Sequence, residues 1–218
     1  MDKKKLFFVI NNLFIFITMV VAVIVVLTYG SRGVRLDGTV TEYWQQIFTF
    51  TIESNIFLGI VALFAAILQF VAIKKQRELH GALKTWYLTA ATAGMVTCLT
   101  VLFFLAPMRA IHGKNYFDML LEPMFFLHFL NPILSAITFI FLFPKSTITI
   151  KSRLLATTPF LLYAIFYITF VVITKLMPDF YGMTFGGKYY LTPLVFIAFW
   201  SLAFGVSSLL SFLHRKIQ

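Results

Sequence analysis

Six apolar runs, each long enough to cross a bilayer as a helix, constrain this chain more than any other feature. They cover residues 6–29, 47–73, 86–107, 117–143, 154–174 and 189–213. A helix needs about 20 mostly apolar residues to cross a hydrocarbon core of roughly 30 Å, and the runs lack the alternating pattern of an outer-membrane barrel. The sequence therefore predicts an all-α, polytopic membrane helix bundle with six transmembrane helices, in which residues 1–218 form a single integral membrane domain.

The composition excludes the other classes of protein. The chain has 218 residues, of which 60% are hydrophobic and 12% are charged, whereas a soluble domain carries about 25% charged residues. Intrinsic disorder requires low hydrophobicity and is excluded for the same reason. A disulfide scaffold is also excluded, because Cys98 is the only cysteine in the sequence. An integral membrane protein in contact with membrane lipid remains.

The net charge of +10 is distributed unevenly over the connections between the spans. The side of the two termini carries twice as many Lys and Arg residues as the other side, with Lys84 assigned to its second loop. This bias predicts that both termini are cytoplasmic and that anionic lipid is attracted to that face. Nucleic acid is not an expected partner, since basic and aromatic residues do not interleave outside the spans.

Ionisable side chains inside the predicted spans are candidates for function, because burying one in lipid costs a few kcal/mol. Glu53, Glu122 and His128 are of this kind. Glu122 precedes Pro123 near the end of its span and is predicted to be a solvated interfacial carboxylate. His128 shares a polar helical face with Asn131, so it is either a candidate acid or base or a structural hydrogen-bonding residue between helices.

Glu53 lies in a polar cluster at the start of the second span, together with Thr49, Thr51, Ser54 and Asn55. These residues point in several directions around a helix, so the cluster is predicted to be surrounded by protein or to line a hydrated cavity. The alternative for the threonines is a hydrogen bond to their own backbone. Depths of ~6–9 Å for Thr51 and Glu53 and ~16 Å for His128 leave open a single pocket that joins them.

The chain contains no recognised cofactor or metal motif. A Gly-rich phosphate loop, HExxH, GxSxG and CxxC do not occur, and the four histidines are scattered along the chain, so neither a cofactor nor a metal ion is expected. Ser201, Gly205 and Ser208 form a small-residue seam that suits close helix contact. The seam fits packing within the chain or a homo-oligomer.

Three short segments resemble a known family. They are Phe50-Thr51-Ile52-Glu53-Ser54-Asn55, Leu127-His128-Phe129-Leu130-Asn131-Pro132 and Gly186-Gly187-Lys188-Tyr189-Tyr190-Leu191-Thr192-Pro193-Leu194. With the six short-looped helices, they resemble the androgen-induced membrane protein family and its bacterial relatives, the predicted six-transmembrane proteins. Characterised eukaryotic members are intramembrane threonine hydrolases that cleave fatty acid esters of hydroxy fatty acids.

The resemblance implies an intramembrane hydrolase of lipid esters in a bacterial cytoplasmic membrane. Thr51 would be the nucleophile and His128 the base that takes its proton. Asn55 or Asn131 would donate to the oxyanion, and Arg109 would hold a substrate carboxylate. The sequence departs from the eukaryotic pattern in two ways: Thr49 competes with Thr51, and Glu53 with Asn55 replaces part of the surroundings.

A second hypothesis needs no covalent chemistry. Glu53, Asn55 and His128 would form the protonatable site of a small-ligand binding protein or a proton-coupled membrane transporter. The distance between the Thr51 hydroxyl and the His128 ring separates this hypothesis from the hydrolase, since an activated hydroxyl needs its base within hydrogen-bonding reach.

Overall fold

The computed structural model describes residues 3–29, 33–34, 40–41, 43–77, 79, 81–144 and 147–217. These contain six helical segments that are long and apolar enough to cross a membrane, which confirms the predicted all-α bundle. We number them α1 to α6 in chain order: Lys3–Tyr29, Phe50–Lys74, Gly81–Ile111, Pro123–Leu142, Ile150–Ile173 and Tyr189–Ile217. Between α1 and α2, β1 (Gly33–Val34) and β2 (Val40–Thr41) form a short antiparallel pair.

Two of the helices begin later in the chain than predicted, for local reasons. Residues Tyr43–Phe48 form a 3-10 turn, so α2 begins at Phe50 instead of residue 47. The segment Tyr116–Leu120 is also a 3-10 turn, and Glu122 has a φ of 54°, which is not helical. The fourth span therefore begins at Pro123 instead of residue 117, since proline is well suited to the first helical position.

The third helix is central to the bundle. About 61% of its apolar stretch is buried, against 44% or less for each of the other five. Its neighbour α4 lies very close at Gly94, where an added Cβ would stand 3.5 Å from the Pro132 Cα. The Tyr87 hydroxyl also donates to Asn12 Oδ1 at 2.7 Å, which links α3 to α1 through a buried polar contact.

The contacts between helix ends define two faces of the bundle. Lys84, at the start of α3, contacts His214, near the end of α6, while Ser54, at the start of α2, contacts Thr97, towards the end of α3. We call the face at Lys84 and His214 the terminal face, because it also carries the first residue of α1. The opposite one, where α2, α4 and α6 begin, is the distal face. The cytoplasmic position of the terminal face remains a prediction from charge.

The terminal face holds a buried basic pair that the sequence analysis did not anticipate. Lys84 was predicted to lie in a loop, whereas it belongs to α3 and is buried. Its Nζ lies 2.7 Å from His214 Nε2, and His214 Nδ1 lies 2.9 Å from the Phe139 carbonyl. A carbonyl only accepts, so Nδ1 carries the hydrogen and Nε2 accepts from the ammonium. The pair ties α3, α4 and α6 together.

Candidate functional site

A cavity of about 670 Å³ lies between α2, α3 and α5. This volume is in the usual range for small-molecule sites. Of the described residues that line it, Glu53 alone is charged, and the others are apolar, aromatic or hydroxyl-bearing. Leu162 and Trp86 line the cavity and are largely exposed on the surface of the helices. We call this space the Glu53 cavity.

Glu53 is half-buried in the first turn of α2. A carboxylate at this position interacts favourably with the positive end of the helix dipole, which accounts in part for its presence. Within the described residues, however, its side chain has no hydrogen bond and no ion pair. The neighbouring Tyr163 hydroxyl donates to the Phe48 carbonyl at 3.2 Å. The carboxylate is thus available to a ligand in the cavity.

Thr51 faces a different space. Thr51 and Glu53 are two residues apart, which corresponds to a rotation of about 200° around the helix. Thr51 lines a second, much smaller cavity of about 30 Å³, together with Thr97 and Tyr181. The Tyr181 hydroxyl is within hydrogen-bonding reach of the Thr51 side chain. Burial raises the pKa of the Tyr181 hydroxyl, so this group stays protonated at neutral pH.

Thr49 serves as the N-cap of α2. Its Oγ1 accepts a hydrogen bond from the Ile52 amide at 3.4 Å and donates to the Gln46 carbonyl at 2.7 Å. The predicted alternative, a hydroxyl bonded to local backbone, is confirmed for this residue. Because Thr49 is committed to the helix end, Thr51 is the better-placed of the two threonines for any chemistry in the interior.

Asn55 is fully buried and joins α2 to α4. Its Nδ2 donates to the Thr51 carbonyl at 2.8 Å and to the Leu127 carbonyl at 2.9 Å. The Leu127 carbonyl needs this donor because residues 126–130 form a π turn, in which the Asn131 amide donates to Phe126, and because Pro132 has no N–H. Both amide hydrogens of Asn55 are therefore in use, and donation to an oxyanion would require one of these bonds to break.

His128 is buried on α4, with Nδ1 at 2.6 Å from the Met119 carbonyl. Since a carbonyl only accepts, Nδ1 carries the hydrogen and the lone pair resides on Nε2. The described part of the chain shows no hydrogen bond between this ring and Thr51. His128 lines neither the Glu53 cavity nor the smaller cavity at Thr51, so the two predicted clusters do not share one of these spaces.

The other predicted site residues line neither cavity. Asn131 is fully buried, and its Oδ1 accepts from Thr18 at 2.7 Å, which makes it a tie between α4 and α1. Arg109 is half-buried in the last turn of α3 and lines neither cavity. Glu122 is exposed, as expected of an interfacial carboxylate. Neither Arg109 nor Asn131 lines the cavity at Thr51.

The connection between α5 and α6 covers the Thr51 side of the bundle. Asp179 holds it in place, because its carboxylate accepts from the Tyr167 hydroxyl, from the Met183 amide at 3.0 Å and from Thr184 through N at 2.9 Å and Oγ1 at 2.6 Å. The same connection brings Tyr181 to Thr51. Sequence reasoning missed Asp179 and Tyr181, since neither lies in an apolar run and the turn that unites them has no repeated pattern.

Asn11 and Asn12 in α1 were also missed, although two amides inside an apolar run were a visible signal. Asn11 Nδ2 donates to the Thr138 hydroxyl, and Asn12 contacts Tyr87, so both join α1 to its neighbours.

The chain matches no protein-family model, and no curated protein or solved structure matches it significantly. The function is therefore inferred from the geometry of the site.

Proposed function

We propose that the protein is a membrane-embedded binding protein for an amphipathic small molecule, with the Glu53 cavity as its site. The observation that carries the proposal is the coexistence of a cavity of about 670 Å³ with an unpaired, half-buried carboxylate on its wall. An ionisable group inside a bundle is costly and marks a functional site by default. Leu155, Pro159 and Leu162 on the wall supply contacts for an alkyl chain.

Of the three residues in the binding or transport hypothesis, Glu53 is assigned to the site, whereas Asn55 and His128 are not. Asn55 holds α2 and α4 together through two backbone carbonyls, and His128 is bonded to Met119. Glu53 is then the single polar anchor, and the alkyl part of the ligand lies along the apolar wall. Because Leu162 and Trp86 line the cavity and are exposed, we propose that its entrance lies on the lipid side and that a ligand enters from the bilayer.

A large side chain at Leu162 tests whether the cavity is the binding site. We expect Leu162→Trp to fill it and to abolish saturable binding, whereas Ile165→Trp should bind normally. The two positions are matched, since both lie on α5 and are 62% and 63% exposed, but only Leu162 is among the residues that line the cavity. The measurement is equilibrium binding of three radiolabelled probes with one chain and different headgroups, dodecyltrimethylammonium, dodecanol and dodecanoate, to protein in nanodiscs.

The result supports the proposal if at least one of the three probes saturates at a single site that only the Leu162→Trp variant loses. Non-saturable partitioning of all three probes would contradict it. So would saturable binding that Leu162→Trp leaves intact.

Hydrolysis of lipid esters by Thr51 and His128, as in the family that the sequence resembles, is a second candidate. One contact favours it: Asn55 bonds the carbonyls of Thr51 and Leu127 at the same time, so the two segments that carry Thr51 and His128 are adjacent. A shift of the His128 ring would still be needed for the base to reach the hydroxyl, since the two are not hydrogen-bonded.

Labelling with a fluorophosphonate probe tests this second candidate, because the probe reacts with an activated hydroxyl. If Thr51 is a nucleophile, the wild-type protein is labelled, Thr51→Ala and His128→Ala are not, and Thr49→Ala is labelled normally because Thr49 only caps α2. An unlabelled wild-type protein would contradict hydrolysis, and so would labelling that persists in Thr51→Ala.

A further inference from the structure

The Glu53 cavity has a single charged residue on the described part of its wall. Glu53 is the single ionisable acid among its described lining residues, and none of these residues is Lys, Arg or His. Lys84, next in sequence to the lining residue Thr85, contacts His214 instead. A cation that enters this space therefore meets one carboxyl group with no competing base beside it, in a medium of low dielectric constant where charge complementarity matters most.

Aromatic rings line the same cavity as this carboxylate. Phe50 and Tyr163 have ring centroids 5.3 Å apart, and Phe166 lies 5.9 Å from Tyr163. Phe57 and Trp86 have ring centroids 6.2 Å apart. All five line the cavity. The faces of aromatic rings carry partial negative charge and attract cations, and Trp attracts them most strongly.

We infer that the Glu53 cavity selects a lipophilic cation, such as a long-chain amine or quaternary ammonium compound. The inference rests on the proposed function and adds the class of ligand. The carboxylate of Glu53 pairs with the cationic headgroup, rings from α2, α3 and α5 cover that headgroup, and the alkyl chain lies against Leu155, Pro159 and Leu162. A fatty acid is disfavoured, because its carboxylate would face that of Glu53.

The affinities of the three dodecyl probes test the inference. We expect dodecyltrimethylammonium to bind about tenfold more tightly than dodecanol, and dodecanoate to bind most weakly, since one ion pair and ring contacts together supply about 1.4 kcal/mol or more. Glu53→Gln keeps the shape of the side chain and removes its charge. It should weaken dodecyltrimethylammonium about tenfold and leave dodecanol unchanged.

Two further variants make the test independent of folding effects. Glu122→Gln removes an acid that is exposed and outside the cavity, and it should preserve the preference for the cation. Trp86→Leu retains an apolar wall but removes a ring, and it should weaken the cationic probe about threefold without affecting dodecanol. Dodecanol affinity thus reports that each variant is folded.

The inference is overturned if Glu53→Gln retains the preference for the cation, or if dodecanoate or dodecanol binds as tightly as dodecyltrimethylammonium to the wild-type protein. In that case the proposed function would still be supported if any of the three probes binds saturably and Leu162→Trp abolishes that binding. If no probe saturates, the proposed function fails and the inference fails with it, so the two failures are distinguishable.

Discussion

Replacing Asn55 by leucine is expected to lower the free energy of unfolding by about 2 kcal/mol. Leucine has the branching of asparagine without its polar atoms, so the change removes the bonds to the carbonyls of Thr51 and Leu127 with little change in shape. The Thr51 carbonyl keeps a bond from the Ser54 hydroxyl at 3.2 Å. The Leu127 carbonyl has no replacement, since its helical donor is missing at Pro132.

The measurement is reversible unfolding in mixed micelles, with Thr28→Val as the control. The Thr28 hydroxyl bonds only to Ile24 of its own helix and is exposed, so its loss should change stability by less than about 0.5 kcal/mol. An Asn55→Leu protein as stable as the control would show that the amide does not hold α2 against α4. That result would also weaken the argument for hydrolysis, which depends on the same Asn55 contact.

Replacing Asp179 by alanine is expected to release the connection between α5 and α6 and to expose Thr51. The carboxylate is the common acceptor for Tyr167, Met183 and Thr184, and bonds to a charged group are each worth about 1.5–3 kcal/mol. Without it, Tyr181 is no longer held at Thr51. Opening of the connection should then become at least tenfold more populated, since 1.4 kcal/mol corresponds to a factor of ten.

Thiol reactivity measures this opening. In a protein that carries Thr51→Cys and Cys98→Ser, which leaves one cysteine, Asp179→Ala should accelerate modification by a water-soluble maleimide at least tenfold. Asp118→Ala is the control, because Asp118 is an exposed acid in another distal connection. Equal rates in the two backgrounds would show that Asp179 does not close the path to Thr51.

The membrane fold could be predicted from the sequence because hydropathy and length alone determine which segments span a bilayer. Two predicted helix starts were too early because short 3-10 turns precede the helices, at Phe50 and Pro123. Hydropathy cannot distinguish a 3-10 turn from the first turn of a helix when both are apolar. The fold class could be predicted without tertiary information. The exact ends of the helices could not, because they depend on capping residues and on the φ of Glu122.

The site was predictable only in part. A polar cluster around Glu53 indicated either protein surroundings or a hydrated cavity at the start of α2, and Glu53 and Ser54 line a cavity there. The other walls of the cavity come from α3 and α5. Their positions depend on the tertiary packing of the helices, which the sequence near Glu53 does not indicate. For the same reason the separation of Thr51 from Glu53 into two cavities could not be deduced, nor could the bond of His128 to Met119.

The most direct test of the account is to locate a bound amphiphile in a crystal of the protein. The ligand is the bromine-terminated form of whichever dodecyl probe binds most tightly, and bromine anomalous scattering reports its position. We predict a bromine peak between α2, α3 and α5, beside Leu155 and Pro159, that is absent from Leu162→Trp. Bromine peaks confined to the outer, lipid-facing surface of the bundle would contradict it, as would the same internal peak in Leu162→Trp.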